Sequence, residues 1–276
     1  MLKYILAIII FGVIIFIHEF GHFFVAKLCG IKVNKFALGM GPKILKKQIG
    51  ETEYSLRLFP VGGFCAMEGE DQESENSRAF GNKPVWKRMF VIVAGAFMNI
   101  LLGFVLIVIL TCMRSAVPST IVGGFSTQSE TSEIITAQSY ECGLREGDEI
   151  IKMDGMRIFT PSDLSYQLYS DDDGKFDIVV KRDGKKITLN DVIFHDSATD
   201  SVVDFQIKGL NKNPLNVLAF SGKDTVSTAR MIWISLVDLV TGKYGFNDLS
   251  GPVGLVGAIG CLLYTSPSPR DPKTSR

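Results

Sequence analysis

Two long apolar stretches dominate the pattern of hydrophobic and polar positions in this chain. The first runs from about Tyr4 to Ala26, and the second runs from about Met89 to Met113. Each exceeds the roughly 20 apolar residues that a helix needs to cross a bilayer. A signal peptide could also begin after Lys3, but HEFGHFF stands where a cleavage site of small residues would be expected. The pattern therefore favours two transmembrane helices.

The charged residues beside these stretches indicate how the chain is oriented. No acidic residue interrupts the lysines that follow the first stretch, which are Lys27, Lys32, Lys35, Lys43, Lys46 and Lys47. Further basic residues precede the second stretch, whereas glutamates accumulate beyond it. The positive-inside rule therefore places residues 28–86 in the cytoplasm. The N-terminus and everything after about residue 115 would then lie outside.

The segment between the two stretches predicts a β-hairpin. Apolar and polar residues alternate in YSLRLF (54–59), as in a strand, and QIGETEY (48–54) would supply the turn. We expect this hairpin to carry an apolar tip that dips into the membrane, where protein would have to cover its backbone. The acidic stretch at 68–77 is typical of a solvated loop.

From residue 115 to 198 the pattern becomes that of a compact, β-rich soluble module. EIIKM (149–153) predicts a strand, and FDIVVKRDGKKITL (176–189) predicts a hairpin that turns at Asp183-Gly184. A short helix is expected between them, with Thr160 as its N-cap and Pro161 and Asp163 in its first turn.

Residues 199–260 contain an amphipathic segment and then the glycine-rich SGPVGLVGAIG. The amphipathic segment could lie along a membrane surface or pack as a helix on the soluble module. From Cys261 onward the chain reads CLLYTSPSPRDPKTSR, which is similar to translated adapter sequence. We therefore expect residues 261–276 to be non-native and not part of the fold.

The composition argues against several classes of function. The chain has 29 basic and 29 acidic residues, with a formal net charge of zero, and no basic stripe interleaved with aromatics. We therefore expect no nucleic-acid partner. The five cysteines are scattered without a C-x-x-C pair, so neither a disulfide framework nor a zinc knuckle is predicted.

FIHEFGHFF (16–24), in the first apolar stretch, carries the candidate chemistry. His18, Glu19 and His22 form H-E-x-x-H, and positions i and i+4 share one face of a helix. Both imidazoles can therefore reach one metal ion, and Glu19 is placed to take a proton from an attacking water. Ionisable groups in a spanning helix are costly, and a bound divalent cation compensates for them. Zinc fits this donor set best.

The sequence around this motif resembles the site-2 protease family of intramembrane zinc metalloproteases, in its bacterial form. The similarity covers roughly residues 1–258 through FIHEFGHFFVAKLCGIKVNKFALGMGP, FPVGGFCAMEGE, RAFGNKPVWKRMFVIVAGAFMNILLG and LSGPVGL. It implies an α-helical membrane protein with a re-entrant β-hairpin and an inserted β-rich PDZ-like domain.

The same resemblance implies a division of the chain. The expected segments are a first transmembrane helix (1–28), a cytoplasmic segment with the hairpin (29–85), a second transmembrane helix (86–114), an extracytosolic PDZ-like domain (115–198) and an amphipathic helix with the GPVG segment (199–260).

By resemblance, the protein would reside in the bacterial inner membrane as a multi-pass protease with Zn2+ as its cofactor. It would cleave transmembrane segments of single-pass proteins, such as anti-sigma factors or signal-peptide remnants. The hairpin around 39–64 would hold substrate near the metal, with Gly39 and Gly41 on its glycine motif. Asn99 could help to position substrate, or it could simply hydrogen-bond one helix to the other. The PDZ-like domain would act as a size filter against untrimmed substrates.

One departure from the family pattern concerns the metal. The family's third ligand is an aspartate in a later membrane helix containing Leu-Asp-Gly, and the sequence has no such segment; Asp238 and Asp248 are predicted to lie on the outer side. Two histidines leave a zinc site short of a protein ligand. We therefore expect this chain to be an inactive, C-terminally truncated piece of an active enzyme. The rival hypotheses are a membrane-anchored PDZ adaptor that binds peptides and a fragment of a metal transporter.

Overall fold

The computed structural model describes residues 2–125, 137–170, 174–194 and 203–241. The predicted GPVG segment, Asp248 and the tail from Cys261 lie outside the described residues. The described residues fall into two units, 2–102 and 103–241.

Two long apolar helices are present, as the sequence predicts. α1 (Leu2–Leu28) has 27 residues and α2 (Val85–Met113) has 29. At about 1.5 Å per residue, either helix exceeds the roughly 30 Å hydrocarbon core of a bilayer. Only 11% of the residues in the most apolar window of each helix are buried. Apolar side chains that point outward along such a helix are suited to contact with lipid.

A folded β-hairpin connects these helices. β1 (Val33–Ile49) and β2 (Thr52–Met67) pair in antiparallel fashion around a turn at Gly50. Residues 35–38 of β1 pair with 53–56 on one side and with 63–66 on the other. Both strands therefore fold back on themselves, and the sheet has four rows in the order 63–67, 33–38, 52–57 and 43–49.

The fold-back depends on glycines and forms the apolar end of the hairpin. Gly39 and Gly41 have φ angles of 86° and 85°, a region that glycine adopts without steric cost. At this end, the carbonyl oxygen of Pro60 lies 3.4 Å from where a Cβ would stand on Gly12 in α1. The turn predicted at 48–54 is confirmed at Gly50, and it forms the polar end of the hairpin, where Glu51 pairs with Lys27 at the end of α1. The sequence pattern did not predict this fold-back.

The second unit is a small β-rich module with helices on it. β3 (Val122–Phe125) pairs with β8 (Phe205–Ile207). A four-stranded antiparallel sheet contains β4 (Glu149–Met153), β5 (Met156–Arg157), β6 (Lys175–Arg182) and β7 (Lys185–Ile193), in the order β5-β4-β6-β7. The helices are α3 (Gln138–Glu141), α4 (Pro161–Ser170) and α5 (Pro214–Val240). The predicted strand at 149–153 and the hairpin that turns at Asp183-Gly184 are confirmed.

A buried carboxylate joins α4 to α5. Asp163 accepts hydrogen bonds from the backbone N–H groups of Phe159 (2.7 Å) and Thr160 (3.0 Å), so its side chain reaches back over the start of α4. Its other oxygen, Oδ1, accepts from Ser227 and from Arg230 (2.6 Å) on α5. The amphipathic segment therefore contacts the soluble module, which is one of the two interpretations that the sequence left open.

Candidate metal centre

The two histidines of the H-E-x-x-H motif converge on one point beside α1. No proline or run of turn residues interrupts α1 at this motif, so His18 and His22 stand one turn apart on the same face. Their Nε2 atoms are 3.2 Å apart, and the two rings are nearly perpendicular. Two nitrogens bound to one tetrahedral zinc ion at about 2.05 Å would be about 3.3 Å apart. The observed separation therefore fits a zinc ion shared by both imidazoles.

The tautomer of His22 is determined by its neighbour on α2. Nδ1 of His22 lies 2.7 Å from the carbonyl oxygen of Val91. A carbonyl oxygen can only accept a hydrogen bond, so Nδ1 carries the proton and Nε2 of the neutral ring keeps its lone pair. Metal-binding histidines usually have this arrangement, in which the outer nitrogen donates to a carbonyl or carboxylate oxygen.

A glycine of α2 faces both imidazoles. A Cβ on Gly95 would lie 2.5 Å from His22 Nε2 and 2.7 Å from His18 Nε2. The two helices also approach closely at Gly21, where a Cβ would stand 2.5 Å from the carbonyl oxygen of Ala94. Small residues permit such contacts between membrane helices. Gly95 therefore leaves open the space in front of the ring nitrogens.

The hairpin passes beside the candidate base. Glu19 is half-buried on α1, and a Cβ on Gly63 of β2 would lie 3.2 Å from Glu19 Cγ. The row 63–67 is an edge of the folded sheet, since within the described residues it pairs only with 33–38. A peptide that paired with this edge near Gly63 would therefore lie close to Glu19.

The structure brings together some of the predicted site residues and not others. Asn99 of α2 joins the centre, with its Nδ2 3.3 Å from His18 Nδ1. Gly39 and Gly41 lie at the fold-back, where Phe59 is the nearest neighbour of both. In the part of the chain that the structure describes, no group of three or more His, Cys, Asp or Glu side chains could hold a metal. The described centre therefore offers two imidazole ligands.

Sequence reasoning missed three residues of this centre. Val91 contributes only a backbone carbonyl, and Gly63 belongs to the unpredicted fold-back, so neither left a signal in the sequence. Gly95 did leave one, because a glycine four residues before Asn99 in an apolar helix is typical of close helix contacts.

Comparison with known proteins shows the family of this chain. Residues 6–265 match the family described as Peptidase family M50. A Clostridium acetobutylicum protein whose name describes it as a zinc metalloprotease is 34% identical over 259 residues, covering 93% of this chain and 74% of the relative. A similarly named Clostridium perfringens protein is 34% identical over 254 residues, covering 91% and 73%. The Bacillus subtilis regulator of sigma-W protease RasP is 28% identical over 339 residues, covering 90% and 77%.

The family match and the names of these relatives indicate a zinc metalloprotease. This chain belongs to peptidase family M50, the family of site-2 proteases. The family resemblance and the zinc cofactor expected from the sequence are thereby confirmed. Family membership and the two apolar helices together indicate a membrane protein.

Proposed function

We propose that this protein is an intramembrane metalloendopeptidase that cleaves transmembrane segments of single-pass membrane proteins. The observation that carries this proposal is the convergence of His18 Nε2 and His22 Nε2, 3.2 Å apart, beside Glu19 on an apolar helix. Anti-sigma factors and signal-peptide remnants are the substrate classes that we expect, and the RasP relative is itself named as a regulator of sigma-W.

Each residue of the centre has a chemical role in this proposal. His18 and His22 would hold zinc through Nε2. Catalytic zinc sites usually have three protein ligands, and by family resemblance the third would be an aspartate of a later membrane helix. Bound zinc supplies Lewis acidity, which activates water as a nucleophile and polarises the scissile carbonyl. The Glu19 carboxylate takes a proton from the attacking water and returns it to the leaving amine.

The folded hairpin would present the substrate to this centre. A peptide bond in a transmembrane helix is shielded by the helix's own hydrogen bonds, so the substrate has to unwind locally. The edge row 63–67 offers its backbone replacement partners by strand addition, and Gly63 lies next to Glu19. In this arrangement Gly39 and Gly41 contribute indirectly, because they allow β1 to bend at the fold-back of the hairpin.

The remaining assignments concern location and control. We propose a multi-pass protein of the bacterial inner membrane, with the module at 115–198 being PDZ-like and extracytosolic. The size-filter role would exclude substrates whose outer domain is still folded. Both proposals rest on the charge asymmetry around the helices and on family resemblance.

The test is cleavage of a defined reporter in bacterial membranes. The reporter is a single-pass protein with a short outer segment and a tag on each side of its transmembrane helix. It is co-expressed with a form of the protein that carries the third zinc ligand. We expect a tagged cytoplasmic fragment whose formation falls about 10²- to 10⁴-fold in Glu19→Gln, because the general base is lost. The zinc content of the purified chain should stay unchanged in this variant.

Two controls separate the protease from the adaptor hypothesis. Glu73→Gln makes the same chemical change at an exposed position of the acidic loop and should leave cleavage intact. A second reporter with a folded outer domain should be cleaved poorly if the size-filter role is right. Equal cleavage by the wild type and Glu19→Gln would exclude the proposed mechanism. If the form with the third ligand instead captured peptides without cutting any reporter, the protein would act as an adaptor.

A further inference from the structure

The hydrogen bonding of His18 differs from that of His22. His22 Nδ1 faces a carbonyl oxygen, which determines its tautomer, whereas His18 Nδ1 faces the amide group of Asn99 at 3.3 Å. An amide can present either its oxygen or its nitrogen to a neighbour, and the two groups have nearly the same shape. The tautomer of His18 therefore depends on which way the Asn99 amide points.

The orientation with Nδ2 toward His18 leaves a buried atom unsatisfied. In that orientation Asn99 Oδ1 is buried and has no hydrogen-bond partner among the described residues. His18 would then carry its proton on Nε2 and could not use that nitrogen to bind a metal. A buried acceptor without a partner is destabilising by about 1–3 kcal/mol.

The opposite orientation prepares the metal centre. With Oδ1 toward His18, the oxygen accepts a hydrogen bond from Nδ1–H, and the lone pair of His18 Nε2 faces that of His22, 3.2 Å away. Two lone pairs at this distance repel each other unless a cation lies between them. Both histidines then donate from Nδ1 to an acceptor on α2, which is the usual arrangement around metal-binding histidines.

We propose that Asn99 is a positioning residue of the metal centre, whose Oδ1 holds His18 in the tautomer that binds zinc through Nε2. The proposal rests on the proposed zinc centre and adds a residue that acts on the metal through a ligand. It gives Asn99 a third role beside the two that the sequence left open, because an acceptor that orients a metal ligand is neither a substrate contact nor a simple link between helices.

The test measures the affinity of the purified full chain in detergent for Zn2+ and Co2+, by competition with a chromophoric chelator. Asn99→Leu replaces the acceptor with an apolar side chain of similar size. We expect the affinity for the metal to fall about 10- to 100-fold, as when other hydrogen-bond partners of metal-binding histidines are removed. Asn99→Asp keeps an acceptor oxygen and should bind the metal at least as tightly as the wild type does. Tight binding by Asn99→Asp and weak binding by Asn99→Leu would separate a positioning role from a loss of folding.

A spectroscopic measurement follows the tautomer directly. The chain has only three histidines, so 15N-histidine labelling gives few resonances to assign. We expect His18 to carry its proton on Nδ1 in the wild type and in Asn99→Asp, and to lose that preference in Asn99→Leu. Thr111→Val, also a polar-to-apolar change in α2 but 12 residues further along, serves as the matched control and should change neither readout.

The outcomes distinguish this inference from the proposed function. The inference is overturned if Asn99→Leu binds zinc as tightly as the wild type, or if Asn99→Asp is as weak as Asn99→Leu. A change in the KM for substrate without a change in metal affinity would instead assign Asn99 to substrate. If His18→Ala and His22→Ala both bind zinc like the wild type, the zinc centre itself fails, whatever Asn99 does.

Discussion

The Nδ1–H group of His22 on α1 donates a 2.7 Å hydrogen bond to the carbonyl oxygen of Val91 on α2. In an α-helix this carbonyl also accepts from the N–H group four residues later, which belongs to Gly95. One helical turn of α2 therefore provides both the acceptor that determines the His22 tautomer and the open space in front of His22 Nε2. The close approach of the two helices is thus a condition for the metal centre.

Gly95→Ala is expected to damage the centre directly. The added methyl group would stand 2.5 Å from His22 Nε2 and 2.7 Å from His18 Nε2, so either the helices separate or the rings rotate. We expect zinc affinity, measured by chelator competition, to fall at least 10-fold. Gly103→Ala in the same helix has no atom within 4 Å of its new Cβ and is the matched control. Equal affinities in the two variants would contradict the assigned role of Gly95.

Gly39→Ala is expected to destabilise the fold-back of the hairpin. The φ angle of Gly39 is 86°, which is unfavourable for alanine by about 1–2 kcal/mol, and its Cβ would meet the Phe59 carbonyl oxygen at 2.5 Å. Gly50→Ala shares the positive φ, at 58°, but has open space around its Cβ. We therefore expect Gly39→Ala to lower the melting temperature in detergent more than Gly50→Ala does. Equal shifts would show that the contact with Phe59 does not matter.

Glu51 should make the stability of the first unit depend on acidic pH. Arg78 forms a bidentate pair with this carboxylate, with distances of 2.7 and 2.8 Å, and Lys27 adds a contact of 2.7 Å. The hydrogen bonds from Arg78 and then Lys27 lower the pKa of Glu51 from 4.5 to about 2. Because the pKa in the folded protein is the lower one, the stabilisation is complete above pH 4.5 and is lost as the pH falls toward 2.

The measurement is the difference in melting temperature between the wild type and Glu51→Gln across that range. We expect a constant advantage for the wild type at pH 5 and above, shrinking steadily below pH 4.5. Arg78→Met removes the partner that lowers the pKa of Glu51 most. In this variant the stabilisation by Glu51 should therefore be lost over a narrower pH range. A difference that grew as the pH fell would contradict the sign of this linkage.

Arg230→Met should loosen α5 from the soluble module. The side chain of Asp163 is fully buried and that of Arg230 is 23% exposed, and they are 2.6 Å apart. Breaking a buried ion pair is destabilising by about 3–5 kcal/mol, and we expect the lower end because Asp163 keeps three other donors. Faster proteolysis within α5 is the readout. Lys185→Met, at an exposed position of β7, should stay within about 0.5 kcal/mol of the wild type.

Much of the fold could be predicted because its signals are local. Helix length follows from an unbroken apolar run, and the turn at Asp183-Gly184 follows from the residues that tolerate positive φ. The double pairing of residues 35–38 had no such signal. These pairing partners are 18 to 31 residues apart, and which of them meet depends on where the chain bends. Alternation of side chains does not say which of two rows a strand joins.

The same distinction holds within the metal centre. His18, Glu19 and His22 could be assigned from the sequence because 3.6 residues per turn places i and i+4 on one face, whatever the rest of the protein does. Val91, Gly95 and Asn99 lie about 70 to 80 residues further along, and only the packing of α2 against α1 brings them to the imidazoles. The sequence by itself therefore determined which side chains can bind the metal. The tertiary structure decided which hydrogen bonds orient those ligands, because these form between atoms that only packing brings within 3 to 4 Å.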